Sequence, residues 1–277
     1  MAKCMDQSIR NINLDRWNEL TALHARSAFY NLEGFKAGQS TLRSIEVEEL
    51  PEVAGKRLLH LQCHFGLDTL SWARRGARVT GVDFSETAIA LARSLSRELG
   101  LEAVFVHSDL YDLRNVLSGD FDIVFTSYGT ICWLPDLRRW AEIISDSLRP
   151  GGTFYMAEIH PFANVFDDRP GTEELKVAYS YFDAGPIREE SQGSYADRSA
   201  EVIHRTSYIW QHPLGEILNE LIRAGLTIEF VHEFPYSVCA TLPCMDSSAD
   251  GWWRLRKQAG EIPLLFSLRA KKPKPGA

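Results

Sequence analysis

Apolar positions are most densely patterned between Lys56 and Ser85, KRLLHLQCHFGLDTLSWARRGARVTGVDFS. The run Arg57 to Leu61 reads as a buried strand that ends in a loop containing Gly66. Leu67, Leu70, Trp72 and Ala73 then space out one face of a short helix, and Ala77 to Val82 makes a second strand with Asp83 at its carboxyl end. The alternation continues. Ser85 stands at the N-cap of a helix with the face Ala88, Leu91, Ala92, Leu95 and Leu99, closed by Gly100. Glu102 to His107 forms a third strand followed by Asp109, and Phe121 to Thr126 a fourth followed by Ser127, Tyr128 and Gly129. The pattern predicts a helix over Asp136 to Leu148 stopped by Pro150, Gly151 and Gly152, then a fifth strand from Thr153 to Ala157. Repeated βα units of this kind imply a mostly parallel sheet with right-handed crossovers.

The flanks read differently. Asn13 to Leu50 has helical spacing in Trp17, Leu20, His24 and Ala28, followed by the aromatics Phe29, Tyr30 and Phe35. We expect residues 1–50 to form a helical cap in which Trp17 and Leu20 pack, while His24, Tyr30 and Phe35 are equally candidates for a flap that excludes water from a ligand. Residues 51–277 form the main domain. From Glu158 to about Tyr208 regular alternation stops, and a connection this long inside a compact domain is usually a lid or binding segment. Leu214 to Ala224 returns to a helix, and strands at Thr227 to Phe234 and Ile262 to Ala270 suggest an antiparallel pair at the sheet edge.

Composition narrows the function. The 277 residues are 45% hydrophobic and 24% charged, as in an ordinary globular protein. A net charge of −7 argues against nucleic acid as the main partner, because phosphate binding needs a basic surface. Lys271, Lys272 and Lys274 form a small basic cluster, read as a solvated tail. Neither an apolar leader nor a membrane-length run is present in the sequence, so the expectation is a cytoplasmic protein with no membrane partner. The five cysteines (Cys4, Cys63, Cys132, Cys239, Cys244) lack CxxC spacing and suggest neither a disulfide framework nor a zinc site. His60 and His64 straddle a strand end and a loop rather than one helical face, and Asp167 with Asp168 lacks an evident third ligand; no metal is expected.

In a doubly wound sheet the ligand crevice lies outside the strand carboxyl ends, so the loop after the first strand, Asp83 and Asp109 should face one site. Five segments in order, LLHLQCHFG, VTGVDFS, HSDLYDL, FDIVFTSYG and LRPGGTF, resemble the class I S-adenosylmethionine-dependent methyltransferases over roughly Lys56 to Ala270. The resemblance implies an α/β fold with a seven-stranded sheet of order 3-2-1-4-5-7-6, strand 7 reversed, with the N-terminal helices and residues 158–208 as substrate cover. It implies S-adenosylmethionine as cofactor and a small-molecule acceptor methylated on oxygen or nitrogen.

Carried over position by position, the resemblance puts Gln62, His64 and Gly66 around the methionine portion, Asp83 on the ribose hydroxyls, Phe84 against the adenine, Asp109 on its amino group and Leu110 beside the ring. Ser127 and Tyr128 would border the methyl-donor end. One departure stands out: the family usually writes GxGxG after an acid, whereas His60 replaces the acid here, and Gln62 and His64 replace the first two glycines. His160, just past the fifth strand, is a candidate proton acceptor or an orienting structural histidine. Tyr128 either orients the substrate or only contacts the cofactor. His212 is read as a cap or lid support. Trp133, Tyr181 and Tyr195 are candidate walls for an acceptor, or packing aromatics. Two alternatives remain open: a nicotinamide-dependent oxidoreductase, disfavoured because GxGxxG is missing, and a methyltransferase-like protein that binds a ligand or partner without catalysis. Oligomeric state is left open.

Overall fold

A computed structural model describes residues 7–182, 185–257 and 260–276; Cys4 lies outside them. The chain begins with three helices, α1 (Gln7–Arg26), α2 (Leu32–Lys36) and α3 (Ser44–Glu49). The expected continuous helical stretch is therefore broken. Asn31 adopts a left-handed conformation (φ 40°), and its side chain accepts from the Gly34 N–H to start α2. Alternating units follow: β1 (Arg57–Leu61), α4 (Leu67–Arg74), β2 (Arg78–Asp83), α5 (Glu86–Glu98), β3 (Ala103–His107), β4 (Phe121–Ser127), α6 (Leu137–Ser147) and β5 (Leu148–Ile159). The cap expected at Ser85 is made by a bond from the Ala88 N–H, and Asp136, expected inside the helix, caps α6 by accepting from the Arg139 N–H.

β5 starts five residues earlier than its apolar pattern suggests, directly at the end of α6. The Pro-Gly-Gly stretch stays extended because the Gly151 N–H reaches the Lys272 carbonyl (2.8 Å) and the Lys272 N–H returns to Gly152 (2.9 Å). Lys272 is thus no solvated tail residue. Its ammonium donates to the carbonyls of Ser145 (2.7 Å) and Leu148 (2.9 Å), where the end of α6 leaves acceptors unpaired.

The segment after β5 holds two short strands, β6 (Ile187–Glu190) and β7 (Thr206–Ile209), paired antiparallel. Regular structure therefore does not stop there altogether. α7 (Leu214–Arg223) and β8 (Thr227–Phe234) come next, then a small hairpin of β9 (Met245–Ser247) and β10 (Trp253–Leu255), and last β11 (Leu265–Lys271). The main sheet runs β3-β2-β1-β4-β5-β11-β8. β11 is antiparallel to both neighbours. With β8 and β11 counted as sixth and seventh, the order is the 3-2-1-4-5-7-6 expected.

Apolar burial holds this sheet. One face carries Leu59, Leu61, Val124, Trp140, Ile144, Phe154 and Phe266; the other carries Leu58, Trp72, Phe125 and Tyr155. α1 docks by another chemistry. Its buried residues include Asn13, Arg16, Thr21 and His24. Asn13 exchanges two bonds of 2.8 Å with the Tyr208 backbone, acting as a strand partner for β7. Arg16 donates to the carbonyls of His204 (2.7 Å) and Gly193 (2.9 Å), and Glu19 accepts from the N–H groups of Ile203 (2.6 Å) and His204 (2.8 Å). α1 and the segment after β5 are joined through polar groups, and α1 lies over the carboxyl ends of the strands through Arg10 and Asn13.

Candidate active site

The carboxyl ends of β1, β2, β3 and β4 meet under α1 at a narrow cavity with ≈ 50 Å³ of room for water-sized molecules. Of the expected residues, Gln62, Asp83, Phe84, Asp109, Leu110 and Trp133 line it; Arg10 and Asn13 of α1, with Val82, Ser108, Tyr111 and Leu134, complete the wall. The α1 residues were not foreseen, because their polar face gives no periodic apolar signal.

The loop after β1 answers the question raised by its missing glycines. Gln62 (φ 54°) and His64 (φ 50°) hold the left-handed conformation that glycine adopts without strain. Gly66 (φ 81°) is kept for packing as well: a Cβ there would lie 2.6 Å from the Phe105 ring of β3. The strained loop is held by Asp83, whose Oδ2 accepts from the His64 N–H (2.8 Å) while Oδ1 accepts from the Ser85 N–H (2.9 Å). Burial pushes the Asp83 carboxyl up to about 6, against the pull of these backbone donors. Gln62 Nε2 donates to the Thr130 carbonyl (2.9 Å), which leaves Oε1 buried at the cavity without a partner among the described residues. Asp109 caps the turn after β3 through the Tyr111 N–H (2.8 Å) and meets Arg10 of α1 at 2.6 Å. A ligand that uses Asp109 has to displace Arg10.

The loop after β4 is clamped by carboxyl groups from three directions. Glu158, at the end of β5 and 1% exposed, accepts from the N–H groups of Gly129, Thr130 (2.8 Å) and Ile131 (3.2 Å). Ser127 donates to Asp68 (3.0 Å), and the Tyr128 hydroxyl to Glu46 of α3 (2.9 Å). Burial, with Asp68 nearby, pushes Glu46 up to about 8. None of the three carboxyl groups was singled out in the sequence; the one signal for Glu158 was an acid closing the apolar strand TFYMAE.

His60, at the place of the family's acid, lies buried and bonds Thr69 of α4 through Nδ1 (2.8 Å); burial lowers it to about 4. His160 stands against Phe266, with Nδ1 accepting from the Phe162 N–H (3.0 Å) and Nε2 at 2.9 Å from Glu233 of β8; it is not among the cavity-lining residues. Phe35 is 1% exposed and packs in the core with Phe65 and Ile89, under the Arg74 guanidinium. Tyr181 packs against the Phe166 and Leu242 cluster, and its hydroxyl accepts from the Leu214 N–H. His212 supports the lid connection through Leu134 O (2.7 Å). Tyr30 and Tyr195 meet hydroxyl to hydroxyl. Asp167 is paired with Arg169, and no group of three or more potential metal ligands occurs among the described residues.

A family model described as a methyltransferase domain matches residues 58–152, the span from β1 into β5 that builds this cavity. That region has the class I S-adenosylmethionine-dependent methyltransferase fold. Beyond the domain itself, an S-adenosylmethionine-dependent methyltransferase structure from Mesorhizobium loti is 25% identical, with a TM-score of 0.57 over 85% of this chain and 99% of that one. A second structure, from Listeria monocytogenes, has a TM-score of 0.58 at 16% identity and shows the fold alone. Among curated proteins, the ubiquinone biosynthesis O-methyltransferase of Aromatoleum aromaticum is 33% identical over 108 residues, 39% of this chain and 46% of that one. The corresponding protein of Azotobacter vinelandii is 31% identical over 119 residues. The chain spans about half the length of these relatives. No helix among the described residues is long and apolar enough to cross a membrane.

Proposed function

We propose that the protein is an S-adenosylmethionine-dependent methyltransferase acting on an oxygen or nitrogen of a small molecule. The observation that carries this reading is the convergence of Asp83 and Asp109, from the ends of adjacent parallel strands, on one cavity that also holds the unpartnered Gln62 Oε1. These groups fit the cofactor: Asp83 has lone pairs left for a ribose diol beyond its two backbone donors, Asp109 can take an adenine amino group once Arg10 is displaced, and the Gln62 amide oxygen suits a donor such as the methionyl ammonium. Phe84 and Leu110 supply the apolar walls of the adenine slot. When bound, the cofactor's sulfonium supplies an already activated methyl group. The protein's own work is then alignment and exclusion of water, which the Glu158-clamped loop and the α1–lid cover support.

Calorimetry tests the reading. S-adenosylhomocysteine binds the wild-type chain, NAD does not, and Asp83→Asn weakens the binding by about 100-fold through loss of charge-assisted hydrogen bonds. Binding of NAD in its place would favour the oxidoreductase alternative. Absence of any nucleotide binding would sink the catalytic reading.

A further inference from the structure

Two peptide units beside the cavity are held at both ends. The unit joining Gly129 to Thr130 donates its N–H to Glu158 Oε2 (2.8 Å), while its carbonyl accepts from the indole N–H of Trp133 (2.9 Å). The unit joining Thr130 to Ile131 donates its N–H to the same oxygen (3.2 Å), while its carbonyl accepts from Gln62 Nε2 (2.9 Å). Each unit thus runs from one buried carboxyl group to one cavity-lining side chain. Resting on the methyltransferase reading above, we propose that Glu158 is a positioning residue for the methionyl end of the cofactor. Through the two peptide units it fixes Gln62, whose free amide oxygen takes the methionyl ammonium, and it steadies Trp133 in the same cavity wall.

The geometry of the peptide carries the effect. A trans peptide unit is planar, with its N–H and carbonyl pointing in opposite directions, so fixing the one aims the other. Glu158 brings both oxygens to this task. Oε2 also accepts from the Thr130 hydroxyl (3.0 Å), and Oε1 accepts from the N–H of Gly129 and, at 2.7 Å, from that of Ile159. A carboxylate accepts at every lone pair, whereas an amide has one oxygen and would turn two N–H donors toward backbone donors that need an acceptor. A carboxylate bonded to a peptide N–H also polarises the unit, which strengthens the acceptor at its far end.

Gln62 depends on that acceptor. Its backbone is left-handed (φ 54°), a conformation that persists where surrounding contacts enforce it. With Nε2 committed to the Thr130 carbonyl, only the amide oxygen is left for a ligand, and Oε1 is buried without a partner among the described residues. An acceptor in that state favours an ammonium and disfavours a carboxylate.

Two ligands separate the ends of the cofactor. S-adenosylhomocysteine carries the amino-acid chain, and methylthioadenosine keeps the adenosine and the thioether without it. Calorimetry on the full chain gives the ratio of their affinities. Glu158→Gln should weaken S-adenosylhomocysteine by about 10- to 100-fold, the range of a hydrogen bond to a charged group, and methylthioadenosine by less than about 3-fold. Gln62→Ala should do the same, and the double variant should lose about as much as either alone, because Glu158 acts through Gln62. Thr130→Val removes the hydroxyl bond to Glu158 and leaves the backbone bonds. It should shift the ratio the same way by a smaller factor, and it carries the test if Glu158→Gln does not fold. Equal losses on both ligands make Glu158 a support of the fold alone and overturn the proposal. So do an unchanged ratio and a double variant whose loss is the product of the two single losses. A wild-type chain that binds both ligands equally well also overturns it, while leaving the methyltransferase reading standing. A wild-type chain that binds neither overturns both.

Discussion

The sheet and its cover are built by opposite means. β1, β2, β4 and β5 bury continuous apolar runs, and Leu58, Leu59 and Phe125 have no exposed surface at all. α1 and the segment after β5 instead bury Asn13, Arg16 and His24, with the part-exposed Glu19 beside them, against one another's backbone and side chains, across separations of 170 to 195 residues. An apolar interface gains in proportion to area and tolerates small shifts, whereas a polar one is worth little until every group is paired. The difference makes the two regions fail differently when disturbed.

The largest effect is expected in the sheet. Leu59→Ala should cost about 2–5 kcal/mol of global stability, read as a lower urea midpoint with an unchanged slope. Arg16→Ala sharpens the comparison. It strands the carbonyls of Gly193 and His204, at about 1–3 kcal/mol each, so hydrogen exchange should accelerate in residues 187–209 while β1 and β4 keep their protection. If both variants loosened the whole molecule equally, cover and sheet would be one cooperative unit and the distinction would break.

A pH experiment probes the junction of the two regions, where α3 meets Tyr128. The folded chain keeps the Glu46 proton up to about pH 8, while the unfolded chain loses it near the ordinary 4.5. Stability from this group is therefore lost as pH rises between those values, and Glu46→Gln, a mimic of the protonated form, should remove that loss. The variant should match wild type near pH 4 and exceed it by up to about 5 kcal/mol at pH 9, measured by thermal melts across the range. The smallest effect belongs to Gln62→Gly. It relieves a left-handed glutamine but gives up the bond to Thr130, so the change in stability should stay within about 1 kcal/mol. Weaker S-adenosylhomocysteine binding in that variant would identify the Gln62 side chain as a cofactor contact.

The sequence by itself determined the sheet. The βα alternation, the Ser85 cap and the strand-end positions of Asp83 and Asp109 follow from apolar period and local turn chemistry, interactions between residues a few positions apart, whereas the strand order was implied by the family resemblance. The pairings of the cover were not written in any local pattern. α1 buries a polar face, which periodicity reads as surface, and its partners lie far along the chain. The same reason hid the Glu158 clamp. Even the departure at Gln62 and His64 was visible only as missing glycines; tertiary structure decided that two side chains would bear the left-handed backbone, because Asp83 and Thr130 were in place to hold them.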